Sequence, residues 1–320
     1  MSSRDYLLYA SIIFVWSTSW LPLKWQVGVV APEVSILWRF IIAAAICMAV
    51  AYFRKSRLAF DLKAHFYFLL LGLFIFSTNF TLFYTAGQYV TSALLAVVFS
   101  TTSMVNILLT SVIYRTRPQL GQLIASATGL AGIALIFWPE LQVSQVAFTA
   151  LLLCFGGTLS FCSGNLISAH IQKQGIGVLS ANCWGMVYGC MWLASFALLR
   201  GNPFIIELTP LYIGSLLWLA ILGSVVAFFS YLSLVGSLGA GKAGYATVVF
   251  PVFALLISTF FEAYQWTLPA LIGICLVLAG NLLMVRAREF FAPIRIVICA
   301  RLFWARTASL VPNATGRSLP

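Results

Sequence analysis

The sequence predicts an all-α integral membrane protein of ten transmembrane helices, arranged as two inverted five-helix repeats. Three observations carry this expectation. Hydrophobic residues make up 62% of the 320 residues and charged residues only 8%, where a soluble domain carries about 25% charge. The mean hydropathy is +1.02. The apolar residues fall in runs near 20 residues long, the length of a membrane-crossing helix, and not in the short alternating segments of a barrel.

The spans are placed at 6–25, 34–53, 65–86, 91–114, 119–137, 146–170, 177–199, 211–235, 243–262 and 267–286. Each break carries a turn or charge signal: Ala31-Pro32, Arg54-Lys55-Ser56-Arg57, Arg115–Pro118, Trp138-Pro139, Gln174-Gly175, Gly201-Asn202-Pro203 and Gly239–Gly241. The first run holds Trp16, Trp20 and Trp25 and no small-residue cleavage site, so it reads as a retained span and not as a signal peptide.

Orientation follows from the basic residues. With the N-terminus inside, the cytoplasmic face receives Arg4, Arg54, Lys55, Arg57, Lys63, Arg115, Arg117, Lys173, Lys242 and the arginines at 286, 288, 295, 301, 306 and 317. The outer face receives only Lys24 and Arg200. This bias predicts both termini in the cytoplasm and an even number of helices. The same distribution assigns the net charge of +11 to topology and anionic lipid head groups, not to nucleic acid. Residues 289–320 read as a basic cytoplasmic tail, because a further span would bury Arg295 and Arg301 at roughly 2.5–3.5 kcal/mol each.

A shift of 151 residues aligns Val97-Val98-Phe99-Ser100 with Val248-Val249-Phe250-Pro251, Gly72 with Gly223, Pro118 with Pro269, and Gly129 with Gly280. The repeats are therefore 1–138 and 139–288. An odd number of helices per half forces the second to start from the opposite side. That is the architecture of secondary transporters, with the substrate path near mid-membrane.

The order of several motifs resembles the EamA-type carriers of the drug/metabolite transporter superfamily. Phe14-Val15-Trp16-Ser17-Thr18-Ser19-Trp20 followed by Lys24 is similar to that family's first helix, and Pro32 with Trp38-Arg39-Phe40 to the start of its second. Pro251, Glu262, Gly273 and Gly280 match its ninth and tenth helices. The sequence departs from the pattern at Ser100, where the family has proline, and at Tyr114-Arg115-Thr116-Arg117, which replaces a Gly-Glu pair. The resemblance implies export of amino acids or related metabolites.

Arg39 is the one charge well inside a span, about 9 Å deep at 1.5 Å per residue. The readings are snorkelling, an ion pair with Glu262, or gating and binding of a substrate carboxylate. Phe99, Ser103 and Asn106 share one face of helix 4. Phe161 and Asn165 do so on helix 6, Asn79 and Phe83 lie on helix 3, and Phe228 and Tyr231 follow Ser224 on helix 8. Amides and aromatics recurring on four helices predict a shared cavity for a zwitterionic or partly apolar solute, with helix-to-helix bonding the competing reading. Trp16 is near mid-span and joins this set. Trp20 reads as an interfacial anchor, and the stripe Trp184, Tyr188, Trp192 as lipid-facing.

No Asp or Glu lies away from the ends of a span, which predicts exchange or facilitated diffusion, or coupling through the terminal Glu33 or Glu262. The seven cysteines show no CxxC or Cys/His pairing, and no Walker A, HExxH or clustered His/Asp/Glu occurs, so neither a cofactor, a metal nor an enzyme is expected. The expected partners are a small-molecule substrate and membrane lipids, in a monomer or homodimer.

Overall fold

The computed structural model describes residues 3–116, 118–143, 145–243 and 246–284. The arginines from 286 onward, the tail 289–320 and Arg117 lie outside the described residues. Ten main helices make up the fold: α1 (Ser3–Trp25), α2 (Pro32–Phe53), α3 (Leu62–Ala86), α4 (Ser92–Ile113) and α5 (Leu120–Val143) in one half. The other half holds α6 (Gln145–Lys173), α7 (Val178–Leu199), α8 (Pro210–Leu238), α9 (Ala246–Phe261) and α10 (Leu268–Met284), with a single turn, Ala240–Ala243, between α8 and α9. The first eight are long and apolar enough to cross a membrane, and α9 and α10 are shorter apolar helices.

Local signals set the ends. Asp61 accepts from the Ala64 amide at 3.1 Å and starts α3 three residues before the expected 65. Pro32 and Pro210 occupy first-turn positions, where a missing N–H costs nothing. Gly239, at φ +86°, turns the chain out of α8 in a conformation that L side chains resist.

Two spans depart from a simple helix of the expected length. Helix α5 runs through Pro139 to Val143 instead of stopping at 137. Proline removes one helix hydrogen bond, and the turn before it is fixed by buried Ile133, Ile136 and Phe137. Helix α4 is interrupted at Ser100–Thr101. Three successive hydroxyls, on Ser100, Thr101 and Thr102, donate to the carbonyls three residues back, at Val97, Val98 and Phe99. Such back-bonding competes with the helix ladder. Ser100 thus bends its helix by hydroxyl chemistry at the position that the repeat equates with Pro251 of α9.

The two halves share another irregularity. Both α3 and α8 contain a π-helical segment, Phe74–Thr78 and Leu219–Val226, and π segments concentrate at functional sites. The helices approach through small residues, as membrane packing requires. A Cβ on Gly72 of α3 would lie 2.7 Å from the Gly189 amide of α7. A Cβ on Gly280 of α10 would lie 2.7 Å from the amide nitrogen of Gly129 on α5, so two glycines that the repeat equates touch each other.

Candidate functional site

The centre of the bundle is an aromatic box built on α1. Trp16 and Trp20 sit one turn apart and are 6% and 8% exposed. The Trp16 ring meets Phe99, Phe161, Phe228 and Tyr231 at centroid distances of 5.7, 6.0, 6.0 and 4.9 Å. Trp20 meets Phe83 at 5.4 Å and stacks on Phe250 at 6.0 Å. Beside these rings lies a cavity of about 50 Å³. Of the residues expected at the site, Trp16, Asn79, Phe83, Phe99, Phe161, Phe228 and Arg39 line it.

Arg39 is 2% exposed. Its Nε donates to Ser224 Oγ at 2.8 Å, one terminal nitrogen reaches Tyr84 Oη at 3.5 Å, and the guanidinium lies 4.4 Å over the Phe80 ring. Tyr84 in turn donates to Gln26 Oε1 at 2.9 Å. The π segment of α8 sets up the first contact: Ser224 donates to the Leu219 carbonyl five residues back, at 3.0 Å, which aims its oxygen at Arg39. Among the described residues Arg39 has no carboxylate partner. The expected pair with Glu262 is therefore absent, and so is snorkelling, because the cation is drawn inward by a hydroxyl and a ring face.

Two further groups in the cavity lack protein partners. Asn79 donates to the Ile75 carbonyl at 3.3 Å, leaving Oδ1 unpartnered, and Trp20 Nε1 is unpartnered as well. A buried polar group without a partner costs about 1–3 kcal/mol. One cation, one indole donor and one amide acceptor around an apolar space can receive a carboxylate, a hydrogen-bond donor and an apolar body.

Asn106 and Asn165 do not share that cavity, contrary to the single cavity expected from four helices. Asn165 Nδ2 donates to Tyr231 Oη at 3.1 Å and to Asn106 Oδ1 at 3.4 Å. Ser103 donates to Asn281 Oδ1 at 2.9 Å and ties α4 to α10. These four residues cross-link helices, and Tyr231, which also touches Trp16, forms the partition. Beyond it, between the C-terminal ends of α4, α6 and α8, opens a second cavity of about 630 Å³, lined by Asn106. The physical reason is that three amides on three helices lie at different depths, which helical spacing within each helix does not reveal.

At the opposite end Lys24 and Glu262 tie the helix ends together. Lys24 of α1 donates to the carbonyls of Gly87 and of Val90, the latter at 2.9 Å. Glu262 at the end of α9 accepts from the Ser92 amide at 3.1 and 3.2 Å, from Ser92 Oγ, and from Ser258 Oγ at 2.7 Å. The connector between α3 and α4 is thus held by a cation on its carbonyls and an anion on its helix N-terminus, each at the favourable pole. Nearby, Glu33 is buried and accepts from Arg200 at 3.2 Å and Asn202 at 2.9 Å.

Sequence reasoning missed Trp20, Phe80, Tyr84, Lys24 and Phe250. Trp20 is part of the box and not an interfacial anchor. The stripe on α7 does not simply face lipid: Trp184 donates to the Leu58 carbonyl at 2.9 Å and Tyr188 Oη lies 3.0 Å from His65 Nδ1. The signal that could have recovered Trp20 is its one-turn spacing from Trp16, which puts both on one helix face.

Comparison with known proteins agrees with this architecture. The sequence model of the EamA-like transporter family matches residues 4–138 and 148–286. The chain is 24% identical over 299 residues to protein PagO of Salmonella typhimurium, covering 88% of this chain and 95% of that one. It is 22% identical over 272 residues to the uncharacterized transporter YoaV of Bacillus subtilis, covering 84% and 92%. A crystal structure of a protein with 16% identity superposes with a TM-score of 0.66 over 91% of this chain and 99% of that one, which shows a shared fold. The chain belongs to the EamA-like transporter family and is a membrane transporter, not an enzyme.

Proposed function

We propose that the chain exports small carboxylate-bearing metabolites, amino acids foremost, across the cytoplasmic membrane by alternating access. The observation that carries this reading is Arg39, a buried guanidinium that lines an aromatic cavity without a carboxylate partner. A substrate carboxylate completes it. The unpartnered Trp20 Nε1 and Asn79 Oδ1 supply a second donor and an acceptor for an ammonium, and the rings hold the side chain. The lining contains no acid, so a substrate with net positive charge is disfavoured.

In this reading the basic-residue bias places the end that carries Lys173 in the cytoplasm and the Lys24–Glu262 closure outside, with both termini cytoplasmic. The connector between α3 and α4 is the outer gate, and the Asn106–Asn165–Tyr231 partition is the inner one. The repeats 1–138 and 139–288 move against each other around the cavity. Glu33 and Glu262 are both engaged at helix ends, so exchange or facilitated diffusion is the expected mode.

Counterflow into proteoliposomes from a panel of amino acids tests the proposal. One or more should exchange without a proton or sodium gradient. Arg39→Gln should raise KM by about 10- to 100-fold through loss of a charge-assisted contact. Exchange of cations alone, or full activity in Arg39→Gln, would refute it.

A further inference from the structure

The two ends of the molecule differ in a way that assigns a second site. The shift of 151 residues carries the α3–α4 connector, 87–91, onto 238–242, which is the α8–α9 connector. The offset places Gly175 opposite Lys24, with Lys173 two residues before it at the end of α6. Opposite Glu262 it places Ser111, and residues 108–116 contain no Asp or Glu.

The consequence is visible in the structure. Lys24 is engaged with the carbonyls of its connector. Lys173 is exposed, lines the second cavity and has no hydrogen-bond or ion-pair partner among the described residues. The same cavity is lined by His170, Gln122 and Gln172 and by no acid. At its floor stands Asn106, 1% exposed, whose Nδ2 donor is unpartnered.

We propose that this vestibule is a second anion subsite, in which Lys173 at the mouth and the Asn106 amide at the floor meet the carboxylate of a substrate in succession before the inner partition opens toward Arg39. The proposal rests on the carrier reading above but not on Arg39. The exposed Lys173 meets the substrate's charge at the mouth. An unsatisfied buried amide donor meets it at the floor. Both steps concentrate anions and exclude cations, as a cavity lined by one sign of charge does.

The test uses the purified full chain carrying Ser111→Cys, a position in the vestibule wall. The rate of modification by neutral N-ethylmaleimide is measured against the background of the unsubstituted chain, with sodium benzoate as the anionic probe and choline chloride as the cationic control. If Ser111→Cys does not fold, Ile107→Cys in the same wall replaces it. Benzoate should slow the reaction saturably and choline should not. Lys173→Gln should raise the half-protecting benzoate concentration about two- to five-fold, the size expected of an exposed charged contact, while Lys173→Arg restores it. Arg39→Gln should leave the protection in place. Absence of protection in the wild-type background, equal protection by choline, or an unchanged half-protecting concentration in Lys173→Gln each overturn the subsite. Protection lost in Arg39→Gln but kept in Lys173→Gln overturns it too, and leaves the role proposed for Arg39 standing.

Discussion

Replacing Glu262 with glutamine should unlatch one end of the transporter. The carboxylate accepts from the Ser92 amide and hydroxyl and from Ser258, all at the N-terminus of α4 or one turn back on α9. Glutamine keeps the shape and one acceptor but loses the charge. Charge-assisted hydrogen bonds contribute about 1.5–3 kcal/mol against about 0.5–1.5 for neutral ones. An anion at a partly buried helix N-terminus adds up to about 2 kcal/mol. The bonds are weakened, not all removed, so a net loss of about 1.5–3 kcal/mol falls on the closed state. That corresponds to roughly a 10- to 150-fold rise in the open fraction. Leu23, 4% exposed, lines the central cavity beside Lys24 and reports the change once mutated to cysteine. In proteoliposomes a membrane-impermeant thiosulfonate added from the Lys24 side should modify Leu23→Cys at least about ten times faster when Glu262→Gln is present. An unchanged rate, in a variant that melts at the wild-type temperature, would show that the connector is not a gate.

The three buried asparagines should separate into two behaviours. Asn79→Ala removes a free cavity acceptor and should raise KM about two- to twelve-fold with little change in melting temperature. Asn165→Ala cuts the bonds to Tyr231 and Asn106 and should lower the melting temperature in detergent with KM unchanged in the surviving protein. Gly280→Ala should destabilise by about 1–3 kcal/mol, the usual cost of overpacking, because its Cβ meets the backbone of Gly129. Gly214→Ala, with nothing within 4 Å, is the control and should melt no earlier than wild type. For topology, a reporter fused after Arg288 should be cytoplasmic and one inserted near Gln142 external; an external C-terminus would sink the orientation.

Composition and run length alone determined that the chain is a bundle of about ten helices, because lipid leaves a spanning backbone few other solutions. The five-helix period was also legible, since Gly and Pro at a fixed offset mark backbone geometry and not mere hydrophobicity. Trp16, Asn79, Phe83, Phe99, Phe161 and Phe228, singled out by spacing or depth, line one cavity. Spacing says nothing about depth or about partners across helices, and there the tertiary structure decided. It moved Asn106 and Asn165 into a cross-linking partition and drew Trp20 into the box. It also paired Arg39 with Ser224 through a π segment in α8, a feature of backbone register and not of residue type. Above all it separated Arg39 from Glu262. Both are charged residues of apolar spans, but attraction between them lost to nearer partners: a hydroxyl and a ring for the cation, the buried Ser92 amide at a helix N-terminus for the acid. Which charges pair in a membrane protein depends on what each can reach, and only the folded arrangement fixes that.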